Sequence, residues 1–309
     1  MNRVLEISNP AHLRCLHGCL VVEPRAETKD TPAPPPVTLT TEDAGIIVLN
    51  HPAITITAGF LQACVAGKVP VLVCDERHLP RGLLLDPQSA SLHGRVVRAQ
   101  AVISLPARKR AWQQIIRAKI TAQHETLVRL VGKSHLGPLR DQVRSGDPDN
   151  IEARAARIYW PALFGPEFSR DTNALGANAL LNYGYAVLRA AVARALASAG
   201  MHPALGLWHH NQYNAFALAD DIIEPLRPLT DRAVWQLLRD GHTEVARPAK
   251  ATLLSLLEAP VRMDGGTYPL PVALERCAAS LARFFENETR DDGTAPDEAA
   301  RPLRLPEVC

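Results

Sequence analysis

The sequence predicts an α+β protein of two domains, a small N-terminal β-domain and a larger, all-α C-terminal domain. The first part of the chain consists of short runs rich in Val, Ile and Thr, and turn residues separate these runs from one another. From about residue 87, Ala, Leu, Arg and Gln recur at helical spacing. A length of 309 residues is sufficient for two domains. We place the β-domain at residues 1–86, the helical domain at 87–286 and a tail at 287–309.

Six short runs predict the strands of the β-domain, and one apolar stretch at 58–66 predicts a helix between two of them. The proline-rich segment 31–36 cannot pair in a sheet, so we expect an exposed loop there. The predicted strands are residues 3–7, 19–23, 37–40, 46–49, 55–57 and 69–74.

The helical domain begins with an apolar stripe. Its members fall at positions i, i+3, i+4, i+7 and i+8 of one helix and are Trp112, Ile115, Ile116, Lys119 and Ile120. After residue 287 the chain is rich in Glu, Asp, Gly, Pro and Thr, which predicts a frayed tail. Further helices are predicted at residues 151–163, 173–198, 215–224, 231–240, 249–257 and 271–286.

The composition excludes several classes of protein. With 34 Lys and Arg against 32 Asp and Glu, the net charge is +2, so the chain is neither uniformly basic nor uniformly acidic. No run of 18 apolar residues and no signal-peptide pattern is present, so we expect a soluble, cytoplasmic protein that does not enter a membrane. The six cysteines form no CxxC pair and are interpreted as buried thiols.

Basic residues nevertheless cluster between positions 95 and 119, where no acidic residue intervenes. Such a cluster is more often a solvated helix face than a binding site, but it is a candidate track for phosphates. Its members are Arg95, Arg98, Arg108, Lys109, Arg110, Arg117 and Lys119.

Common catalytic motifs are missing from the sequence. Gly132-Lys133-Ser134 resembles the end of a phosphate-binding loop, but Leu127 stands where the first glycine would be required. Neither GxGxxG nor GxSxG occurs, so dinucleotide enzymes and α/β-hydrolases lack support.

Three segments of the helical domain contain candidate functional residues. Asp149 and Glu152 have the spacing of a helix start, and in isolation Glu152 is best interpreted as a capping residue. The second segment contains His209 and His210. In the third, the acidic residues Asp220, Asp221 and Glu224 share one helical surface, where their repulsion favours a bound cation. Carboxylates with one imidazole suit Mg²⁺ or Mn²⁺.

At these segments the sequence resembles the Cas1 family, the CRISPR-associated integrases of spacer acquisition, in their compact type II form. The resemblance extends over nearly the whole chain. The segments that carry it are DAGIIVLNHP (43–52), LVCDERHLP (72–80), WQQIIRAKI (112–120), NYGY (182–185) and LADDIIEPLRP (218–228). Trp208 departs from the family pattern, in which a histidine commonly precedes the position of His209.

The resemblance implies a β-sandwich N-terminal domain that dimerises, an all-α catalytic domain and one divalent metal, Mg²⁺ or Mn²⁺. By motif, the metal ligands and catalytic residues are Glu152, His209 and Glu224. His210 is a rival to His209 but is off by one in spacing, and Asp221 is either a further ligand or a support for one. Arg227 joins the basic cluster as a candidate contact to DNA phosphates.

The reaction that the resemblance implies inserts a short DNA duplex into a CRISPR array by attack of a 3′-hydroxyl on a phosphodiester. It also implies a homodimer, with the small protein Cas2 bridging two such dimers, and double-stranded DNA as the substrate. Two alternatives remain at this point: a stand-alone metal-dependent nuclease of repair or phage defence, and a DNA-binding scaffold without catalysis.

Overall fold

The computed structural model describes residues 3–26, 32–76, 80–84, 93–289 and 303–308. The chain divides into two compact units, Met1–Ser89 and Ala90–Cys309. The boundary predicted at 86/87 lies three residues from this division. The architecture is mixed α+β, with a strand-rich first unit and a helical second unit, as the composition along the chain predicts.

The described part of the first unit contains two four-stranded sheets and one helix, α1 (Ala58–Ala66). The strands are β1 (Arg3–Ile7), β2 (Ala11–Leu16), β3 (Cys19–Pro24), β4 (Val37–Leu39), β5 (Ala44–Leu49), β6 (Thr55–Ile56), β7 (Val71–Cys74) and β8 (Pro80–Leu84). One sheet has the order β1-β5-β7-β8, in which β1, β5 and β7 are parallel. The other has the order β4-β3-β2-β6.

Both sheets contribute to one hydrophobic core. Leu13 and Leu20 of one sheet and Ile47 and Val71 of the other are buried in it, together with Phe60 of α1. α1 has the predicted bounds, and Thr57, which was predicted to end a strand, is its N-cap residue, because its hydroxyl accepts a hydrogen bond from the Phe60 amide. β2 and β8 were not predicted from the sequence.

The second unit contains nine helices in its described part, with two 3₁₀ turns at Glu224–Leu226 and Leu256–Glu258. The helices are α2 (His93–Val102), α3 (Leu105–Val131), α4 (Gly137–Gln142), α5 (Ile151–Phe164), α6 (Ala177–Ser198), α7 (Ala217–Ile223), α8 (Arg227–Arg239), α9 (Arg247–Ser255) and α10 (Leu270–Glu288). α3 packs against α4, α5, α8 and the first of the two 3₁₀ turns. None of the described helices has the length and apolar character that a membrane span requires.

The second unit is helical as predicted, but it is not wholly α, because it also contains a small antiparallel sheet. β9 (Pro260–Met263) lies between β10 (Gly266–Pro269) and β11 (Glu307–Val308). The loop between β9 and β10 has Asp264 and Gly265 with positive φ, which suits a two-residue hairpin connection.

The prediction of a frayed tail is wrong for residues 303–308. Val308 is fully buried and Leu303 is nearly so, and Glu307 and Val308 pair with Arg262 and Val261 of β9. Although the composition of the tail as a whole is polar, its last residues provide enough apolar area to be buried on α3 and on the 3₁₀ turn Glu224–Leu226.

Candidate active site

The three predicted ligands lie on three different elements of the second unit. Glu152 is in the first turn of α5, His209 is in the loop between α6 and α7, and Glu224 begins the 3₁₀ turn after α7. Lys119 of α3 joins two of them: its Nζ lies 2.6 Å from Oε1 of Glu152 and 2.6 Å from Oε2 of Glu224. The single ammonium group of Lys119 therefore lies between the two carboxylates.

Glu152 does not cap its own helix. Both carboxylate oxygens of Asp147 accept hydrogen bonds, from the amides of Ile151 (2.9 Å) and Glu152 (3.0 Å). Asn150 is the N-cap residue, and its Oδ1 accepts from the amide of Ala153. The backbone groups that a capping glutamate would serve are thus already satisfied. The side chain of Glu152 contacts Lys119 instead, which contradicts its interpretation as a capping residue.

Asp221 organises the segment that contains His209. Its fully buried carboxylate accepts hydrogen bonds from the amides of Leu207 (2.6 Å), Trp208 (3.1 Å) and His209 (3.2 Å) and lies 2.6 Å from Nδ1 of His209. Four contacts use the four lone-pair sites of a carboxylate. Asp221 therefore supports His209 and has no oxygen left for a metal.

The contact with Asp221 determines which nitrogen of His209 is available. Nδ1 faces Asp221, so Nε2 is the nitrogen that remains for a ligand, as is common when a carboxylate supports a metal-binding imidazole. The hydrogen bond to Asp221 raises the pKa of His209, and the negative charges of Asp221 and Glu224 add to this effect. The ring of Trp112 lies edge-on to the imidazole, with 5.7 Å between centroids.

A glycine is required where this segment turns. A Cβ atom at Gly206 would lie 2.4 Å from the carbonyl oxygen of His209 and 3.1 Å from Oδ2 of Asp221. Any other residue would displace the backbone amides that Asp221 holds. The position of His209 thus depends on a small residue three positions before it.

Glu224 is a buried carboxylate between two cations. Burial opposes its ionisation, but the charges of Arg227 and Lys119 outweigh that effect and lower its pKa to about 2. Nε of Arg227 lies 2.9 Å from Oε1. Oε2 lies 2.6 Å from the Lys119 ammonium, so each oxygen of this buried carboxylate faces one of the two cations.

The donor set fits a divalent cation of the Mg²⁺ or Mn²⁺ type. Glu152, Glu224 and Nε2 of His209 would supply oxygen ligands and one imidazole nitrogen, and the buried Oε2 of Glu224, which faces the Lys119 ammonium, is an acceptor of the kind that such a metal binds. Within the described residues, no three His, Cys, Asp or Glu side chains are already grouped at metal-binding distances. The carboxylates instead surround the Lys119 ammonium, which would have to move when a metal binds.

The basic residues do not form one continuous surface. Arg95 pairs with Glu286 (2.7 Å), Arg110 pairs with Glu288 through both oxygens (2.8 Å), and an Nη of Arg117 donates to the carbonyl of Val143 (2.9 Å). Among the cluster residues, Arg98, Arg108, Lys109 and Arg117 form no ion pair with a described acidic residue, and of these Arg117 is held by the Val143 carbonyl. The other two candidates, Lys119 and Arg227, are partly buried in the site itself, with side chains 12% and 25% exposed.

The roles of Lys119 and Asp231 were missed by the sequence analysis. Lys119 belongs to the apolar stripe of α3, and a lysine at such a position must be buried and paired, which is the signal that could have found it. Asp231 accepts hydrogen bonds from the hydroxyls of Tyr159 and Tyr185 beside the site. Burial raises the pKa of Asp231 to about 6, although both tyrosines and Arg227 oppose that shift.

The chain is similar to known proteins over almost its whole length. The CRISPR-associated endonuclease Cas1 of Neisseria meningitidis serogroup C (strain 8013) is 36% identical over 99% of this chain and 96% of that protein. A casposase bound to its integration product superposes with a TM-score of 0.77 at 19% identity, covering 94% of this chain and 92% of that one.

A second solved structure, a Cas6-RT-Cas1–Cas2 complex, superposes with a TM-score of 0.68 at 20% identity, over 93% of this chain and 35% of that one. These two structures support the fold. The family described as "CRISPR associated protein Cas1" matches residues 7–247, which is most of the chain. With this match and the Neisseria relative, the chain belongs to the Cas1 family.

Proposed function

We propose that the protein is the integrase of CRISPR adaptation, a divalent-metal-dependent DNA endonuclease and strand-transferase of the cytoplasm that inserts short foreign DNA into the CRISPR array. One observation carries the proposal: Glu152 and Glu224 meet at one cation, beside an imidazole whose Nδ1 is held by Asp221. The named activity of the Neisseria relative and the integration product of the casposase support it.

The reaction exchanges one phosphodiester for another. The 3′-hydroxyl oxygen of the incoming strand forms a bond to phosphorus, the bond to the leaving 3′-oxygen breaks, and the proton passes from the first oxygen to the second. Since one P–O bond replaces another, no external energy source is required. The absence of a Ser or Tyr nucleophile motif is consistent with a hydroxyl of the substrate acting directly.

Glu152, His209 and Glu224 would hold the metal, which as a Lewis acid stabilises charge on the reacting phosphate. The protein's own contribution is to fix these ligands in place. Asp221 keeps the proton of His209 on Nδ1 and leaves the Nε2 lone pair for binding. Arg227, stacked over Tyr185 at 4.6 Å, keeps Glu224 ionised. Glu224 is the buried end of the site, whereas Glu152 and His209 are partly exposed and can meet a substrate from solvent.

We infer further that the protein binds double-stranded DNA, forms a homodimer and acts with Cas2. The second solved structure, a complex in which a Cas1 chain is assembled with Cas2, supports the partner. Exposed apolar residues on strands of the first unit, Leu16, Val37 and Val73, support an interface there.

The metal ligands are tested by strand transfer of a labelled 3′ end into a supercoiled target. Glu152→Gln keeps the shape of the side chain but removes its charge, and it should lower the rate by two or more orders of magnitude, as should His209→Ala and Glu224→Gln. His210→Ala is the matched control, because that side chain is exposed and should matter little. Near-normal transfer by Glu152→Gln contradicts the assignment, and hydrolysis without joined product indicates a stand-alone nuclease.

Lys119→Met tests whether the ammonium group occupies the place of the metal. In the absence of a divalent metal, the substitution removes the ammonium group that Glu152 and Glu224 share. The variant should therefore lose about 3 kcal/mol of unfolding free energy, measured by urea denaturation. Mn²⁺ should then stabilise the variant more than the wild type, because no ammonium competes with the metal. Lys133→Met, at an exposed lysine, is the control. An equal Mn²⁺ effect in variant and wild type contradicts the competition.

The salt dependence of DNA binding tests the basic cluster. With Arg98, Arg108 and Lys109 free of acidic partners, we expect the logarithm of affinity to fall with the logarithm of salt concentration at a slope of about −3. Arg98→Gln combined with Lys109→Gln should reduce the slope by about 2, whereas Lys133→Gln should not. An unchanged slope in the double variant means that these residues are a solvated helix face.

Sedimentation velocity tests the oligomeric state. At tens of micromolar the full chain should sediment as a dimer of the 33.6 kDa protomer, and addition of Cas2 should give a larger complex. A protomer-sized species alone, at the highest concentration measured, contradicts the dimer.

A further inference from the structure

The connection between α6 and α7 carries His209 but contains neither helix nor strand. It runs from residue 199 to residue 216. A connection of this length has no backbone ladder of its own, so its conformation depends on side chains from other parts of the fold. Two buried polar side chains hold the part that leads to His209: Gln100 of α2 and Asp221 of α7.

Gln100 holds the first part of this connection. Its side chain is buried, with 2% of the residue exposed. Nε2 donates hydrogen bonds to the carbonyls of His202 (2.9 Å) and Leu205 (2.7 Å), and Oε1 accepts one from the amide of His202 (2.9 Å). These contacts use both protons of the amide group and one lone pair of its oxygen. One side chain thereby closes the turn at residues 202–205.

This turn is continuous with the segment that Asp221 holds. The carbonyl of Pro203 accepts a hydrogen bond from the amide of Leu218, so the turn is also joined to α7 (2.7 Å). Only Gly206 separates the turn from residues 207–209, and there is no room for a Cβ atom at Gly206. The chain is therefore closely packed at Gly206, and a shift of residues 202–205 would displace the amides that Asp221 binds.

Glutamine suits this position of α2 better than other residue types. Its neighbours on the buried face of the helix, Val96 and Ala99, are apolar. A glutamate at position 100 would place a carboxylate oxygen against two carbonyl groups, and an apolar residue would leave two carbonyls and one amide without their partner. Because burying an amide is unfavourable unless it is hydrogen-bonded, the polar residue is explained by the loop that it holds.

We propose that Gln100 is a positioning residue for the metal site, which fixes residues 202–205 so that Asp221 can hold His209 with Nε2 available to the metal. The inference rests on the proposed function, in which His209 is a ligand. Gln100 acts through the backbone that precedes His209 and forms no hydrogen bond with Glu152 or Glu224. Its loss should weaken the contribution of His209 and leave both carboxylates in place.

Hydrogen exchange of the metal-free protein tests the link within the loop. Gln100→Met keeps the length of the side chain but removes its amide, so the backbone amides of residues 202 and 207–209 should exchange about tenfold faster. The first amides of α5, which Asp147 binds, should be unchanged. Gln123→Met is the matched control, because Gln123 is 3% exposed and its Oε1 has no hydrogen-bond partner among the described residues. Faster exchange throughout the second unit, or equal effects in both variants, overturns the inference.

A double-mutant cycle of Mn²⁺ affinity, measured from the electron paramagnetic resonance of free Mn²⁺, tests the link to the ligand. Gln100→Met should weaken Mn²⁺ binding about tenfold. In the His209→Ala background it should change binding less than about twofold, because the side chain that it positions is absent. Gln123→Met should bind Mn²⁺ as the wild type does. Raising the Mn²⁺ concentration should restore strand transfer to Gln100→Met, since all three ligands are still present.

Normal Mn²⁺ binding by Gln100→Met overturns the inference, as does an equal loss in both backgrounds, which would indicate a general loss of structure. If Gln100→Met does not fold, Gln100→Asn replaces it. Asparagine keeps the amide but is one methylene shorter, and its smaller loss should show the same dependence on His209.

The cycle separates this inference from the proposed function. Normal Mn²⁺ binding by His209→Ala contradicts the ligand assignment and the inference together. Weakened binding by His209→Ala with normal binding by Gln100→Met contradicts the inference alone. Because the cycle needs no strand transfer, a protein that shows it but joins no DNA contradicts the proposed reaction and supports the role of Gln100.

Discussion

The ion pairs around Lys119 are the constraint on which the rest of the second unit depends. Lys119 and Arg227 face Glu152 and Glu224, so two positive and two negative charges balance in a largely buried cluster. Burying charges costs several kcal/mol for each ion, and a well-packed apolar cluster would stabilise a helical unit at least as well. The cluster is therefore better explained by function than by stability. α3, α5 and the 3₁₀ turn after α7 must pack closely to keep every charge paired.

Charge balance also links metal and DNA. A divalent cation brings two positive charges to a cluster that is already neutral, so the cluster would carry an excess of positive charge even after the Lys119 ammonium has moved from between the carboxylates. In the proposed function, the phosphates of DNA supply the missing negative charge. Metal and DNA should therefore bind more tightly together than separately, which is a coupling between two ligands through electrostatics alone. Arg227 cannot leave as easily as Lys119, because it is also stacked on Tyr185.

Features of the fold that depend on residues close together in the sequence could be predicted, whereas features that depend on distant residues could not. Local patterns predicted α1, the stripe of α3 and the carboxylates of α7, because each depends on residues a few positions apart. β2 was missed because His12 and Arg14 alternate with buried Ala11 and Leu13, a half-exposed pattern without a β-branched run. β11 was missed because its burial depends on β9, more than 40 positions earlier. The proposed metal ligands could be named from the family resemblance. The structure was needed to show that Asp147 accepts hydrogen bonds from the first amides of α5, so that the side chain of Glu152 does not cap the helix.

Asp220 and Asp221 illustrate why adjacent identical residues can have different functions. Successive residues of a helix point about 100° apart, so two neighbouring aspartates cannot serve the same group. Asp221 points inward, to the amides that precede His209, and Asp220 points to Asn214 at the other end of the same loop. One helix turn thereby fixes His209, the proposed ligand, and the exposed segment that follows it. Residues 210–213 are therefore exposed to solvent while the imidazole before them is held in place.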